Sequence, residues 1–197
     1  MDYLATRVIG GNLANYKNRL GFIHIPKCGG CSIAEYLHNI GSWYPIDYNE
    51  KTFAAEPYKK YPSYKLFTTV RHPLDWITSG YKFYKQRRGY TLSFDEHVDR
   101  LCCTFDVPSI LHEEFDWYWH CKLLPDGHIK NFQVTVCKLE EIYKLPKFLH
   151  QWFPKALDFE VPVTNTTETE NIEISKQTMN KIKNLTRHYA KRFDYEF

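Results

Sequence analysis

Lys27, Ser32, Arg71 and Ser79 are the residues whose types and settings point most directly to chemistry, and each stands near a place where the sequence turns from strand-like to helical. Residues 21–40 read GFIHIPKCGGCSIAEYLHNI. The first five form a short, β-prone apolar run containing His24, and Pro26 stops it. From Ser32 onward Ile33, Tyr36, Leu37 and Ile40 recur at helical spacing. The stretch therefore predicts strand, tight loop, helix. Gly29 and Gly30 let the backbone turn sharply and approach a ligand, and the helix start offers N–H groups and the positive end of a dipole. Such a loop suits an anion, with Ser32 adding a hydroxyl and Lys27 a mobile positive charge.

The order of residues narrows the choice of anion. A Walker loop carries its lysine after the glycines, as GxxxxGK[ST]. Here Lys27 precedes Gly29-Gly30 and no Gly-Lys pair follows, which disfavours an ordinary ATPase or kinase loop. PKCGGCS instead resembles the 5′-phosphosulfate loop of sulfotransferases that use 3′-phosphoadenosine 5′-phosphosulfate (PAPS), in particular the carbohydrate sulfotransferases with a PKxGGxS-type loop. That family has a second signature, a strand running into RxPxxxxxS, which binds the 3′-phosphate. KLFTTV followed by RHPLDWITSGY, from Lys65 to Tyr81, is similar to it. The resemblance extends from Phe22 to Phe197. It takes in a hydrophobic-Glu pair at Leu139-Glu140, an Asn-containing loop at Thr164-Asn165-Thr166-Thr167, and a tail from Tyr189, YAKRFDYEF, that looks like the family's Y-x-x-D-F-x-x-F type of ending with Arg192 where the Asp would stand.

The resemblance implies an α/β, P-loop-like sulfotransferase fold with a central, mostly parallel sheet flanked by helices. It implies that the amides of Cys28, Gly29, Gly30 and Cys31 and the Ser32 hydroxyl hold the 5′-phosphate, with Lys27 facing the leaving oxygen. It also implies that Arg71 and Ser79 hold the 3′-phosphate, that PAPS is the donor, and that the acceptor is a hydroxyl, with a glycan favoured. Strands alternating with helices point independently to an α/β domain with ligands at the carboxyl ends of the strands. Both motifs follow strands, so they are expected to face one crevice.

The acceptor hydroxyl needs a base within hydrogen-bond reach. Between the two motifs the chain offers His38, Asp47, Glu50 and Glu56, and Glu56 is the first choice. His112 and His120, in an aromatic stretch further on, are its rivals. No HExxH, paired CxxC or DxD cluster suggests a bound ion, so no obligatory metal is expected. Cys28-Gly29-Gly30-Cys31 at a helix start also fits the thioredoxin-like redox signature, but such a domain would not account for Arg71–Ser79. A nucleotide kinase or NTPase would need an acid on a strand beside the loop, and 66–70 and 132–137 contain none.

The remaining elements must position these groups. A strand is expected at 66–70 and a helix at 74–86. Another helix is expected over 93–103, with Ser93 and Glu96 spaced as a capping box. Residues 108–124 read as partly helical, 132–137 as a strand, 139 onward as helical with a break at Pro146, and 159–163 as a short strand. A closing helix starts at Ser175. Residues 1–20 read as an irregular lead-in with at most a short strand, and 42–63 as a loop-rich connector.

The 197 residues are enough for one well-packed domain, 1–197, and short for two. A net charge of +3 gives no case for nucleic acid, although Lys82, Lys85, Arg87 and Arg88 form a local basic patch. No run approaches the roughly 18 apolar residues of a membrane span, and the start lacks a signal-peptide core, so a soluble, cytoplasmic protein is expected. The six cysteines are scattered through a domain that does not need them as staples, and reduced thiols are expected. The Asn165 and Asn184 sequons then read as chance matches. The sequence leaves oligomeric state open.

Overall fold

The structure is a computed structural model that describes residues 11–46, 56–106, 129, 132–164 and 171–197. His112, His120, Asp47, Glu50, Cys121 and Asn165 lie outside the described residues, as do the side chains of Glu56, Arg87 and Arg88. The chain divides into two compact units, one within Met1–Val70 and His128–Asn165, the other within Arg71–Gly127 and Thr166–Phe197.

The first unit is a five-stranded open sheet with helices, in the order β3-β1-β2-β4-β5. Its strands are β1 (Leu13–Asn15), β2 (Leu20–Ile23), β3 (Tyr44–Pro45), β4 (Lys65–Val70) and β5 (Val134–Lys138). β2, β4 and β5 are parallel, in register Leu20↔Lys65 and Leu66↔Val134. β1 pairs antiparallel with both β2 and β3, because a tight turn over residues 16–19 folds β1 directly back onto β2. The lead-in thus supplies a working strand, and the sheet is mixed rather than mostly parallel. Residues Leu66 to Val70 of β4 are all buried, as a strand covered on both faces must be.

Helix α1 (Gly30–Ile40) buries Ile33, Ala34, Tyr36, Leu37 and Ile40 and leaves His38 and Asn39 in solvent, the stripe that its spacing encodes. That stripe joins Phe22 and Phe67 of the sheet and Leu145, Leu149 and Phe153 in one core. The Tyr36 hydroxyl donates to the Ala156 carbonyl at 2.7 Å, and burial pushes this phenol up to about 12. After β5 a 3₁₀ stretch (Leu139–Lys144) runs into the short helix α4 (Leu145–Leu149), with Pro146 in its first turn, where a proline is tolerated. Residues 159–163 form no strand. The face they would present is 159, 161 and 163, and only Val161 packs on the core, while Phe159 is 38% and Val163 83% exposed.

The second unit is helical: α2 (Pro73–Arg88), α3 (Phe94–Asp106) and α5 (Lys176–Arg192) pack on one another. The capping box forms, with the Glu96 N–H donating to Ser93 Oγ at 3.3 Å and the Ser93 N–H to Glu96 Oε2 at 2.8 Å. The Ser93 N–H, and after it the Ser93 hydroxyl donating to the same Oε2 at 2.8 Å, hold the Glu96 carboxyl below its ordinary value. Ser175 caps α5 by accepting from the Thr178 N–H. Thr178 donates in turn to Asp95, and Lys181 pairs with Asp99, so two contacts tie α5 to α3.

His97 is 1% exposed among Tyr81, Tyr84, Tyr90 and Phe94, with Nδ1 3.2 Å from the Tyr90 hydroxyl. Burial, and secondarily the Arg100 charge, push its pKa down to about 4 from 6.5. The unfolded chain therefore takes up a proton, as pH falls through 6.5, that the folded chain refuses until about pH 4. Stability is full above that window and is lost on acidification, by up to about 3 kcal/mol at about 1.4 kcal/mol per tenfold ratio. Urea unfolding of the wild type and of His97→Leu should show the wild type losing more stability between about pH 7 and 4. Parallel pH profiles would remove this role from His97.

Candidate functional site

The loop after β2 is fixed by its own backbone. The Cys28 N–H donates to the Ile25 carbonyl at 3.2 Å, closing a turn with Pro26 and Lys27 at its centre. Lys27 has φ 64°, so the turn has the pattern of type II, in which glycine is the usual occupant of that position. A lysine there carries strain of about 1–3 kcal/mol, which persists only where the surroundings over-determine it. Gly29 follows at φ 80° as the N-cap of α1, and its carbonyl accepts the first helical bond, from Ile33 at 3.1 Å.

Neighbours hold the loop from three directions. A Cβ on Gly29 would lie 2.5 Å from Leu139 Cδ1, and one on Gly30 would lie 2.0 Å and 2.1 Å from Cδ2 and Nε2 of His24. His24 is itself anchored: its N–H donates to Asn12 Oδ1 at 2.9 Å, and its Nδ1 accepts from the Gly11 N–H at 2.7 Å. An acceptor at Nδ1 places the ring hydrogen of neutral His24 on Nε2, the atom packed against Gly30. From β4, buried Thr69 donates to the Cys28 carbonyl at 2.6 Å.

Among the described residues no side chain caps the N-terminus of α1, and its first turn has no acid. The positive end of the helix dipole is thus left uncancelled beside half-buried Lys27. Ser32 Oγ accepts from the Thr164 N–H at 3.0 Å, lies 3.0 Å from Thr164 Oγ1 and donates to the Thr164 carbonyl at 3.5 Å, so Thr164 engages this hydroxyl as both donor and acceptor. The Cys28 amide, expected among the anion donors, is instead the one that closes the turn.

The second motif lies in the helical unit. The Arg71 N–H donates to the Tyr189 hydroxyl at 3.1 Å, and that hydroxyl donates to the Arg71 carbonyl. Tyr189 is fully buried, with the rings of Phe193 and Tyr195 beside it. His72, the N-cap of α2, has Nε2 2.8 Å from the Glu196 carbonyl, and the Tyr195 and Phe197 rings edge against it. Arg71 is half-buried, and Ser79 is buried on α2.

Lys27 to Gly29 thus form the loop and Gly30 to Ser32 the first turn of α1, while Arg71 precedes the N-cap of α2 and Ser79 lies in its second turn. Glu56 opens a 3₁₀ turn, Glu56–Lys60, and His38 is exposed on α1. Cys28 is fully buried and Cys31 half-buried, an unsuitable setting for a redox nucleophile in the first position. No disulfide forms among the described cysteines, and no group of three His, Cys, Asp or Glu among the described residues could hold a metal ion. Nor is any described helix long and apolar enough to cross a membrane.

Sequence reasoning missed His24, Thr69, Leu139 and Tyr189 as positioning groups. A polar Thr68-Thr69 pair inside a strand expected to be buried is the one local signal. Leu139 and Tyr189 act through contacts distant in sequence, and His24, six residues before Gly30, is set by its bonds to Gly11 and Asn12.

No family model matches the chain, and no curated protein matches it. Among solved structures, a sulfotransferase from Alicyclobacillus acidocaldarius aligns over 73% of this chain at 18% identity and a TM-score of 0.39. The chain covers 60% of the length of that protein.

Gly30→Ala should lower stability by about 1–3 kcal/mol, the range for overpacking a tight site, because its methyl meets the His24 ring. Adding His24→Ala should recover part of the loss. In chemical denaturation, a Gly30→Ala variant as stable as the wild type would show that this contact does not constrain the loop.

Proposed function

We propose that this chain is a sulfotransferase that binds PAPS and transfers a sulfuryl group to a hydroxyl acceptor on a carbohydrate. One observation carries the reading: an uncapped helix N-terminus, free of acid in its first turn, follows two sterically required glycines and a strained lysine at the end of a parallel strand. The group fits the residues present. The two glycines let the loop pack tightly against Leu139 and His24, which fixes where its amides lie, and the helix dipole and Lys27 favour an anionic phosphate there.

In this reading the amides of Gly29, Gly30 and Cys31 and the Ser32 hydroxyl hold the 5′-phosphate, and Cys28 shapes the loop through its turn. Arg71 and Ser79 hold the 3′-phosphate, with the Arg71 backbone fixed by Tyr189. The nucleotide supplies a sulfuryl group, whose bond to the phosphate oxygen breaks as one to the acceptor oxygen forms. Lys27 stabilises the charge that develops on the departing oxygen, where its ammonium needs no reorganisation. A base accepts the acceptor's proton, and Glu56 is assigned that role ahead of His120. Amides and cations suffice for this charge, and no metal is invoked.

Lys27→Gly separates function from folding. Glycine relieves the positive φ, so the variant should be no less stable than the wild type. It should lose sulfuryl transfer by about 100-fold or more, the usual cost of removing one charge-stabilising group. Retained transfer in that variant would contradict the mechanism. Arg71→Ala should weaken nucleotide binding about 10- to 100-fold, the scale of a charge-assisted hydrogen bond, as read by calorimetry. An unchanged affinity would take Arg71 out of the site.

A further inference from the structure

The first unit carries an open groove of about 640 Å³ that the donor reading does not use. Lys65 and Leu66, which open β4, and Val134, which opens β5, line it, so it lies at the amino ends of two parallel strands. The phosphate loop follows the carboxyl end of β2 and is bonded to Thr69. Four residues of strand from Thr69 back to Lys65 amount to about 13 Å. The groove is therefore a separate site.

Its lining is of two kinds. Tyr61 and Tyr64 stand with ring centroids 5.0 Å apart, and Trp152 contributes a third aromatic surface. Lys65 Nζ lies 5.4 Å over the Trp152 ring, and Lys59 adds a second cation. Among the described residues, none that line it is acidic. Gln133, exposed just before β5, adds an amide that can both donate and accept. The volume falls within the range of about 300–1,000 Å³ usual for small-ligand sites.

Resting on the reading of the chain as a carbohydrate sulfotransferase, we propose that this groove binds an anionic oligosaccharide, holding a stretch of the acceptor remote from the hydroxyl that reacts. A pyranose ring has apolar C–H faces that stack on indole and phenol rings, hydroxyl edges that meet amides and tyrosine hydroxyls, and, when sulfated or carboxylated, a charge for Lys65 and Lys59. A groove whose described walls are aromatic and cationic matches all three features. An acidic peptide would satisfy the cations but not the ring faces.

The test titrates a chondroitin sulfate hexasaccharide into the full chain at low salt, with maltohexaose and polyaspartate of equal charge as comparisons. No nucleotide is present, so failure here and failure of the donor reading are told apart. The sulfated hexasaccharide should bind at least tenfold more tightly than either comparison. Lys65→Glu, a change at an exposed position, should weaken it at least tenfold with the melting temperature little altered, and Trp152→Ala should also weaken it. Absence of binding, an affinity unaffected by Lys65→Glu, or equal binding of polyaspartate or maltohexaose would each overturn the proposal.

Discussion

The contact between the His24 ring and Gly30 sets the geometry on which the loop depends. Because His24 is anchored to the Asn12 side chain and the Gly11 amide, it cannot retreat, and α1 can begin where it does only if its first residue lacks a side chain. Thr69 fixes the same loop from β4 through the Cys28 carbonyl, and Leu139 closes on Gly29 from the segment after β5. His24 just after β2, Thr69 in β4 and Leu139 after β5 thus converge on a few loop residues. That convergence explains how Lys27 is kept at a positive φ that a lysine left to itself would seldom adopt.

A similar economy governs the helical unit. The buried Tyr189 hydroxyl bonds both backbone groups of Arg71, and the tail beyond it packs its rings on His72. The end of the chain therefore fixes the backbone that precedes α2. Thr178 and Lys181, bonded to Asp95 and Asp99, seat α5 on α3 and so support the helix that presents Tyr189. The tail beyond α5 contributes the Tyr195 and Phe197 rings and the Glu196 carbonyl that hold His72, over a hundred residues away in sequence.

Local patterns were legible where one element writes its own periodicity. The helical stripe of α1, the apolar run of β4, the Ser93–Glu96 box and the Ser175 start of α5 all formed as their spacing indicates. What stayed hidden depends on pairing. The lead-in became β1 because a four-residue turn folds it onto β2, and its antiparallel pairing with β2 and β3 makes the sheet mixed. The 159–163 run looks like a strand by composition, yet two of the three side chains on one face remain in solvent. At the loop the glycines were visible, but not the partners that make them necessary, since His24 and Leu139 reach them through the fold. Tyr189 gave no sign of its bonds to Arg71.

The phosphate reading is tested most directly by calorimetry with adenosine 3′,5′-bisphosphate, in competition with ADP and with ATP plus Mg²⁺. If the loop and Arg71 serve a nucleotide with separate 5′- and 3′-phosphates, the bisphosphate binds at least tenfold more tightly than ADP, and Mg²⁺ with ATP does not displace it. No binding, or a preference for ATP with Mg²⁺, would contradict the assignment of these residues to a sulfuryl donor.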